Sequence, residues 1–142
     1  MRIAALDDDP ILLELIKATT EQHGHVCHTY LTGTQLLQDI RHETFDLLIV
    51  DWHLPDTTGP EVVRWVRQHV GLEMPILFVP HRQEERDIVE GLCCGADDFM
   101  TKPVRIGELR ARVAVRNSPW ARRGDFLERR INAVEAASRQ LR

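Results

Sequence analysis

Phe45-Asp-Leu-Leu-Ile-Val-Asp51-Trp-His-Leu-Pro-Asp-Thr-Thr-Gly59 is the stretch that decides how the chain folds. Leu47 to Val50 is a continuous apolar run, short enough for a strand buried on both faces. It ends on Asp51, and Pro55 and Gly59 then break regular structure. An α/β sheet takes its ligands in the crevice beyond the carboxyl ends of its strands. Asp51 is thereby delivered to the place where chemistry would occur. Alone, such an acid would more simply cap the loop behind it; the rest of the chain argues for more.

On the N-terminal side, Arg2 to Leu6 reads as a strand running into Asp7-Asp8-Asp9-Pro10. Asp9 can cap the next helix and Pro10 suits its first turn. Ile11, Leu12, Leu15, Ile16 and Thr19 then predict an apolar stripe that ends before Gly24. His25 to Tyr30 predicts a second strand, and Gly33 to Arg41 a helix carrying Leu36, Leu37 and Ile40.

On the C-terminal side, Pro60 to Val70 predicts a helix with Val62, Val63, Val66 and Val70 at helical offsets, stopped by Gly71. Pro75 to Val79 follows as a strand and Gln83 to Cys94 as a helix closed by Gly95. Asp98-Phe-Met100 makes a short strand, followed by Lys102-Pro103 and a helix from about Arg105 to Arg116. Strands alternating with helices imply a parallel sheet covered on both faces. The flavodoxin-like (βα)5 order 2-1-3-4-5 is the expectation for this α/β chain, with right-handed crossovers. That order sets strands one and three side by side. Asp7, Asp8 and Asp51 then converge at one rim, and Lys102 arrives after strand five.

Composition agrees with this reading. The chain has 142 residues, 43% hydrophobic and 28% charged, which suits one globular domain with an appendage. No apolar run approaches the ~20 residues of a membrane-spanning helix, and Met1 to Leu6 is too short for a signal peptide. Cys27, Cys93 and Cys94 do not form a disulfide framework or a zinc spacing, so the expected location is the reducing cytoplasm. Residues 1–103 carry 8 Lys/Arg against 18 Asp/Glu, a net of −10, whereas residues 104–142 carry 10 against 4, a net of +6. The arginines of that segment alternate with apolar residues at helical spacing, so a solvated helix face is expected rather than nucleic-acid contact.

Three clustered carboxylates repel one another, and a hard divalent cation relieves the repulsion. Mg²⁺ keeps several waters, so two carboxylates and a backbone carbonyl suffice to hold it. An ionised Asp51 could then attack phosphorus, since carboxylates form aspartyl-phosphate intermediates. Such a transfer needs positioning and charge stabilisation, which Mg²⁺ and the Lys102 ammonium would supply.

Asp7-Asp8-Asp9-Pro10, Asp51-Trp-His-Leu-Pro55 through Gly59, and Gly95-Ala-Asp-Asp-Phe-Met-Thr-Lys-Pro103 together resemble the receiver domain of two-component response regulators, over residues 1 to about 117. The resemblance implies that Asp51 accepts a phosphoryl group from a sensor histidine kinase. It implies Mg²⁺ on Asp7, Asp8, Asp51 and the His53 backbone carbonyl, with Lys102 on the phosphoryl group. Glu108-Leu-Arg-Ala-Arg-Val113 is similar to the last helix of the OmpR/PhoB-type subfamily, which implies a homodimer through cross-subunit ion pairs. Asp98 and Arg112 match one such pair; Glu108 matches half of another, whose usual arginine is Ile88 here. That face is expected to pair more weakly or with a more apolar seam. Where the family carries Thr or Ser after strand four, this chain has Pro80-His81, and the aromatic switch position is Phe99. Proline has neither hydroxyl nor N–H, leaving the His81 backbone N–H to reach the phosphoryl group. The expectation is intact chemistry with a weakened readout.

The other conspicuous side chains have plainer readings. His23, His25 and His28 lack ligand spacing, Trp52 suits hydrophobic cover, Trp65 suits packing, and Cys93-Cys94 suits a buried helix end. The His81 ring stands where it could meet phosphate or a partner. Beyond Asn117-Ser-Pro119, residues 118–142 read as a linker and helical tail, with Leu127, Ile131, Val134, Ser138 and Leu141 at heptad spacing. The rival reading is a linker plus the opening strand of an OmpR/PhoB-type DNA-binding domain; in either case the tail is too small to be such a domain, and contact with nucleic acid would need a further C-terminal domain.

Two rivals remain. A haloacid dehalogenase-type phosphohydrolase also uses a strand-end Asp, yet needs a second Asp where His53 stands. A degenerate receiver acting only as an interaction or dimerisation module is kept in view by Pro80.

Overall fold

The computed structural model describes residues 1–71, 73–81, 89, 90, 92, 94–117, 135 and 139. Five strands and four helices are assigned among them: β1 (Arg2–Leu6), α1 (Pro10–Glu21), β2 (Val26–Tyr30), α2 (Gly33–Ile40), β3 (Leu47–Asp51), α3 (Gly59–His69), β4 (Ile76–Val79), β5 (Asp98–Phe99) and α4 (Ile106–Asn117). The strands form one parallel sheet in the order β2-β1-β3-β4-β5, the flavodoxin-like order expected. Leu6 pairs with Val50 in the β1–β3 register, so Asp7 and Asp51 leave the sheet side by side.

Side chains of a strand alternate between the two faces, and here each face has its own core. Ala4, Leu6, Leu48, Val50, Ile76, Phe78 and Phe99 pack with Leu36 and Ile40 of α2 and with Val62, Val63 and Val66 of α3. Ile3, Ala5, Leu47, Ile49, Leu77 and Val79 pack with Leu13 and Ile16 of α1 and with Leu109 and Val113 of α4. Every residue of β3 is buried, as its unbroken apolar run requires.

Asp9 caps α1, its carboxylate accepting the N–H of Ile11 at 2.9 Å and of Leu12 at 3.4 Å. The stripe expected on that helix holds at Ile16 and Thr19, with Leu12 partly buried, and fails at Ile11. Ile11 is 81% exposed, and Leu13, Ile16, Thr19 and Thr20 are the buried residues. On α3 the buried face is Val62, Val63 and Val66, while Val70 lies past the helix and is exposed. Of the helix expected over 83–94, Val89, Glu90 and Leu92 are helical, with Leu92 fully buried. Ile88 and Cys93 lie outside the described residues, as do all five heptad positions of the tail, of which Glu135 and Arg139 are described as helical and exposed. Among the described residues no helix is long and apolar enough to cross a membrane.

A buried ion pair that no motif announces fastens the lower half of the sheet. Arg67 of α3 donates to Asp97 at 3.0 Å and to the carbonyls of Gly95 and Met74 at 2.7 and 2.6 Å. Asp97 in turn accepts the N–H of Ile76 at the start of β4, at 2.8 Å. The bonds around this pair offset the desolvation that would otherwise make a buried ion pair costly.

Candidate functional site

The ends of β1 and β3 and the segment after β5 bring Asp7, Asp8, Asp51 and Lys102 together. One carboxylate oxygen from each of the three acids lies within 4.8 Å of the others. Asp7 and Asp51 are buried and Asp8 is exposed, so the cluster opens to solvent on one side. Asp7 is fixed by its own turn: its N–H donates to the Tyr30 carbonyl at 3.1 Å, and its Oδ1 accepts the N–H of Asp9 at 2.9 Å. Lys102 places its Nζ 3.0 Å from Asp7 Oδ2 and 3.2 Å from Asp51 Oδ1. Its backbone is anchored where the sheet runs on beyond β4 and β5: the Lys102 N–H donates to the Pro80 carbonyl at 2.8 Å, in a parallel bridge between His81 and Lys102. The Lys102–Pro103 peptide bond is cis.

The electrostatics follow from burial. Burial pushes the Asp7 carboxyl up to about 6, helped by the charge of Asp51 and opposed by the Asp9 N–H and Lys102. Burial also raises Asp51, with Lys102 and the Trp52 N–H pulling the other way. Burial alone would lower Lys102, but its bond to Asp7 and the charge of Asp51 prevail, so the ammonium is held above its ordinary range. Two carboxylates thus share one cation, and Asp8 adds a third negative charge beside them. Asp51 Oδ1 accepts both the Trp52 N–H, at 2.8 Å, and the ammonium. Asp51 Oδ2 is buried and has no hydrogen-bond partner among the described residues. An unpaired buried carboxylate oxygen beside two further carboxylates is a hard, oxygen-only donor set with a deficit of positive charge, and it suits Mg²⁺.

The loop after Asp51 returns sharply. The Gly59 N–H donates to the Trp52 carbonyl at 2.7 Å, and a Cβ on Gly59 would come within 2.5 Å of the Asp51 carbonyl oxygen. Only glycine permits that approach. His53 follows β3 in an antiparallel bridge with Thr58, its side chain exposed. The Trp52 ring turns inward onto Phe78, with centroids 4.9 Å apart, so it covers the core as expected. Trp65 stacks on His69 at 4.3 Å.

Pro80 is buried, His81 is exposed at the rim, and the Phe99 ring is buried in the core against α3. Asp98 and Arg112 meet within this one chain, the guanidinium donating at 2.9 Å to both carboxylate oxygens, with Glu108 3.8 Å from Arg112. Arg116 adds a second cation 3.6 Å from Asp98. The groove of about 380 Å³ between α1 and α4, lined by Thr20, His23, His25 and Arg110, lies at the other end of the strands from the acidic cluster.

Comparison with known proteins points the same way. The sequence profile of the response regulator receiver domain matches residues 3–114. The phosphate regulon transcriptional regulatory protein PhoB of Rhizobium meliloti is 36% identical over 99% of this chain and 66% of its own length. The response regulator protein PmrA of Pseudomonas aeruginosa is 37% identical over 80% of this chain and 51% of its own. The crystal structure of the response regulator DrrB, an OmpR/PhoB homologue from Thermotoga maritima, superposes with a TM-score of 0.73 at 31% identity, over 80% of this chain and 51% of DrrB. The chain thus spans between half and two thirds of the length of these relatives.

Proposed function

The chain belongs to the response regulator receiver domain family, and we propose that it works as a phosphoryl-accepting switch in which Asp51 takes the phosphoryl group of a sensor histidine kinase. The observation that carries this reading is the buried, unpartnered Oδ2 of Asp51, set beside Asp7, Asp8 and Lys102. Lys102 and the Trp52 N–H hold Oδ1, which leaves Oδ2 as the nucleophile. Its lone pair forms the new P–O bond as the P–N bond to the donor histidine breaks, and the departing imidazole takes a proton from solvent. Negative charge gathers on the phosphoryl oxygens, and Lys102, bonded to Asp7 and Asp51, is the cation at hand to meet it. Asp7 and Asp8, with Asp51 and the His53 backbone carbonyl, are the residues to hold Mg²⁺, which when bound supplies the positive charge the cluster lacks. The His81 backbone N–H is assigned to the phosphoryl group on the side where Pro80 has none to give. The role is that of a switch that modifies itself, not of a turnover enzyme.

Residues 1–117 form the receiver in this reading, and 118–142 a linker and helical tail. Self-association is assigned to the β5–α4 face of Asp98, Glu108 and Arg112, with Ile88, outside the described residues, as the fourth position of the expected seam. DNA regulation, which the names of PhoB and its like imply for those proteins, would come from a further domain and not from contacts of this chain. The cysteine usage supports a cytoplasmic site of action. A second reading has Pro80 in its favour: a receiver that works chiefly as an interaction module, because the hydroxyl that would sense the phosphoryl group is missing.

The test is intact-mass measurement after incubation with acetyl phosphate and Mg²⁺. One phosphoryl group should be added to the wild type and none to Asp51→Asn. Labelling that persists in Asp51→Asn rejects Asp51 as acceptor, and a wild type that takes no label favours the interaction module.

A further inference from the structure

The loop between β3 and α3 is tied to α2 by a carboxylate that the chemistry above does not use. Asp56 is exposed, yet its Oδ1 accepts the N–H of Gly33 at 2.9 Å, and its Oδ2 accepts the N–H of Thr34 at 2.8 Å and the Thr34 hydroxyl. The first N–H groups of a helix have no partner within the helix. The helix's own cap, Thr32, takes the N–H of Gln35 at 3.2 Å, and Asp56 supplies the rest from another loop. Its negative charge also suits the positive end of the helix dipole. The bond from the Thr34 hydroxyl, with the two N–H groups, holds the Asp56 carboxyl below its ordinary range.

A second observation is steric. A Cβ on Gly33 would stand 2.5 Å from Thr57 Cγ2, so the loop lies against the first turn of α2 with no room for a side chain. The position of this clamp follows from topology. The strand order is β2-β1-β3, α2 begins just after β2, and the loop follows β3. The two segments that Asp56 joins therefore flank the end of β1, where Asp7 and Asp8 sit. At about 4.8 Å per strand the gap is roughly 10 Å, and Asp56 closes it. At its far end the same loop is pinched by Gly59 onto Trp52.

We propose that Asp56 is a positioning residue of the acidic site: by fastening the 52–58 loop to α2 it sets the backbone of Trp52 and His53, and with it Asp51, against Asp7 and Asp8. It touches neither metal nor phosphoryl group. The inference rests on the proposed function, since it concerns the same site.

Four full-length proteins test it: the wild type, Asp56→Ala, Asp56→Asn, whose amide oxygen still accepts one N–H, and Thr32→Ala, which weakens the same helix start without releasing the loop. The readouts are Mg²⁺ affinity by titration of tryptophan fluorescence, the rate of labelling by acetyl phosphate, and the thermal midpoint. Losing hydrogen bonds of ordinary strength should weaken Mg²⁺ binding and slow labelling about 3- to 10-fold in Asp56→Ala, with Asp56→Asn between it and the wild type. Thr32→Ala should lower the midpoint but keep affinity and rate near the wild-type values. If Asp56→Ala resembles Thr32→Ala, losing only thermal stability, Asp56 is merely a helix cap and the proposal is wrong. A wild type that neither binds Mg²⁺ nor takes label defeats the functional reading, and the inference falls with it.

Discussion

Asp7 keeps its proton to about pH 6, chiefly because it is buried and then because Asp51 is charged beside it. Its ordinary value is 3.8, so the folded chain holds this proton more tightly than the unfolded one. The stabilisation is complete below pH 4 and is lost as pH climbs through 6, and ionising Asp7 then costs about 3 kcal/mol. Asp7→Asn should therefore be more stable than the wild type at pH 7.5 without metal, and the advantage should vanish near pH 4. Mg²⁺ should reverse the order at pH 7.5, raising the wild-type midpoint and leaving Asp7→Asn nearly unmoved. Thermal denaturation of both proteins at the two pH values, with Mg²⁺ or with EDTA, checks this. A wild type indifferent to Mg²⁺ at pH 7.5 would mean that the three acids do not form a metal site. At this scale the sequence tells much: Asp7 and Asp51 each stand at the end of an apolar run, a legible place, and Lys102 follows the short Phe99-Met100 pair within a recognisable Lys-Pro motif. Asp56 and Gly33 were not legible as partners. They lie 23 residues apart, in loops whose meeting depends on how three strands are ordered.

Among the elements, β3 and α1 mark the two extremes of what periodicity can convey. Every position of β3 is apolar until Asp51, so no phase has to be chosen, and the strand was readable almost to the residue. In α1, Ile11, Leu12, Leu13, Leu15 and Ile16 offer two overlapping stripes, and the sequence does not say which faces the sheet. Packing decides: Leu13 and Ile16 meet Ile3, Ala5 and Ile49, and Ile11 is left in water. Equal truncations should therefore have unequal effects. Ile49→Ala should cost about 2–5 kcal/mol, as in other large-to-small core changes, whereas Ile11→Ala should stay within about 0.5 kcal/mol. Urea unfolding at equilibrium measures both, and a substantial loss at Ile11 would place that side chain in a buried contact. Arg67 and Asp97 are illegible in the sequence for another reason: polar residues carry no period, and their pairing is visible only once Arg67 of α3 reaches the Asp97 carboxylate that holds the start of β4.

For the molecule as a whole, the question is how far an event at Asp51 travels. A hydroxyl after β4 would bond a phosphoryl oxygen, and hydrogen bonds to charged groups are worth about 1.5–3 kcal/mol. Differential binding of that size moves a two-state equilibrium by about one to two powers of ten. Pro80 removes it, and Phe99 is a buried ring with no phenol to follow the change. Beryllofluoride should accordingly shift self-association of the wild type only a few-fold, and Pro80→Thr should widen the shift towards tenfold or more. Sedimentation of both proteins with and without the mimic measures it; a large wild-type shift unaltered by Pro80→Thr would assign the coupling to another group. Asp98 is also already satisfied by Arg112 within its own chain, so any exchange of that pair between subunits begins from a bond that must first be broken. The salt bridge of Lys102 with Asp7 joins the segment after the last strand, β5, to the segment after the first, β1, and this has a consequence for biosynthesis. A nascent chain that has paired only β1, β2 and β3 carries all three acids and no counter-charge; the cation arrives last, with the edge of the sheet. Such distant contacts form late and slowly. In the proposed function, the capacity to be charged with phosphate is therefore a property of the finished fold alone, and a half-made receiver on the ribosome would have no answer for a kinase.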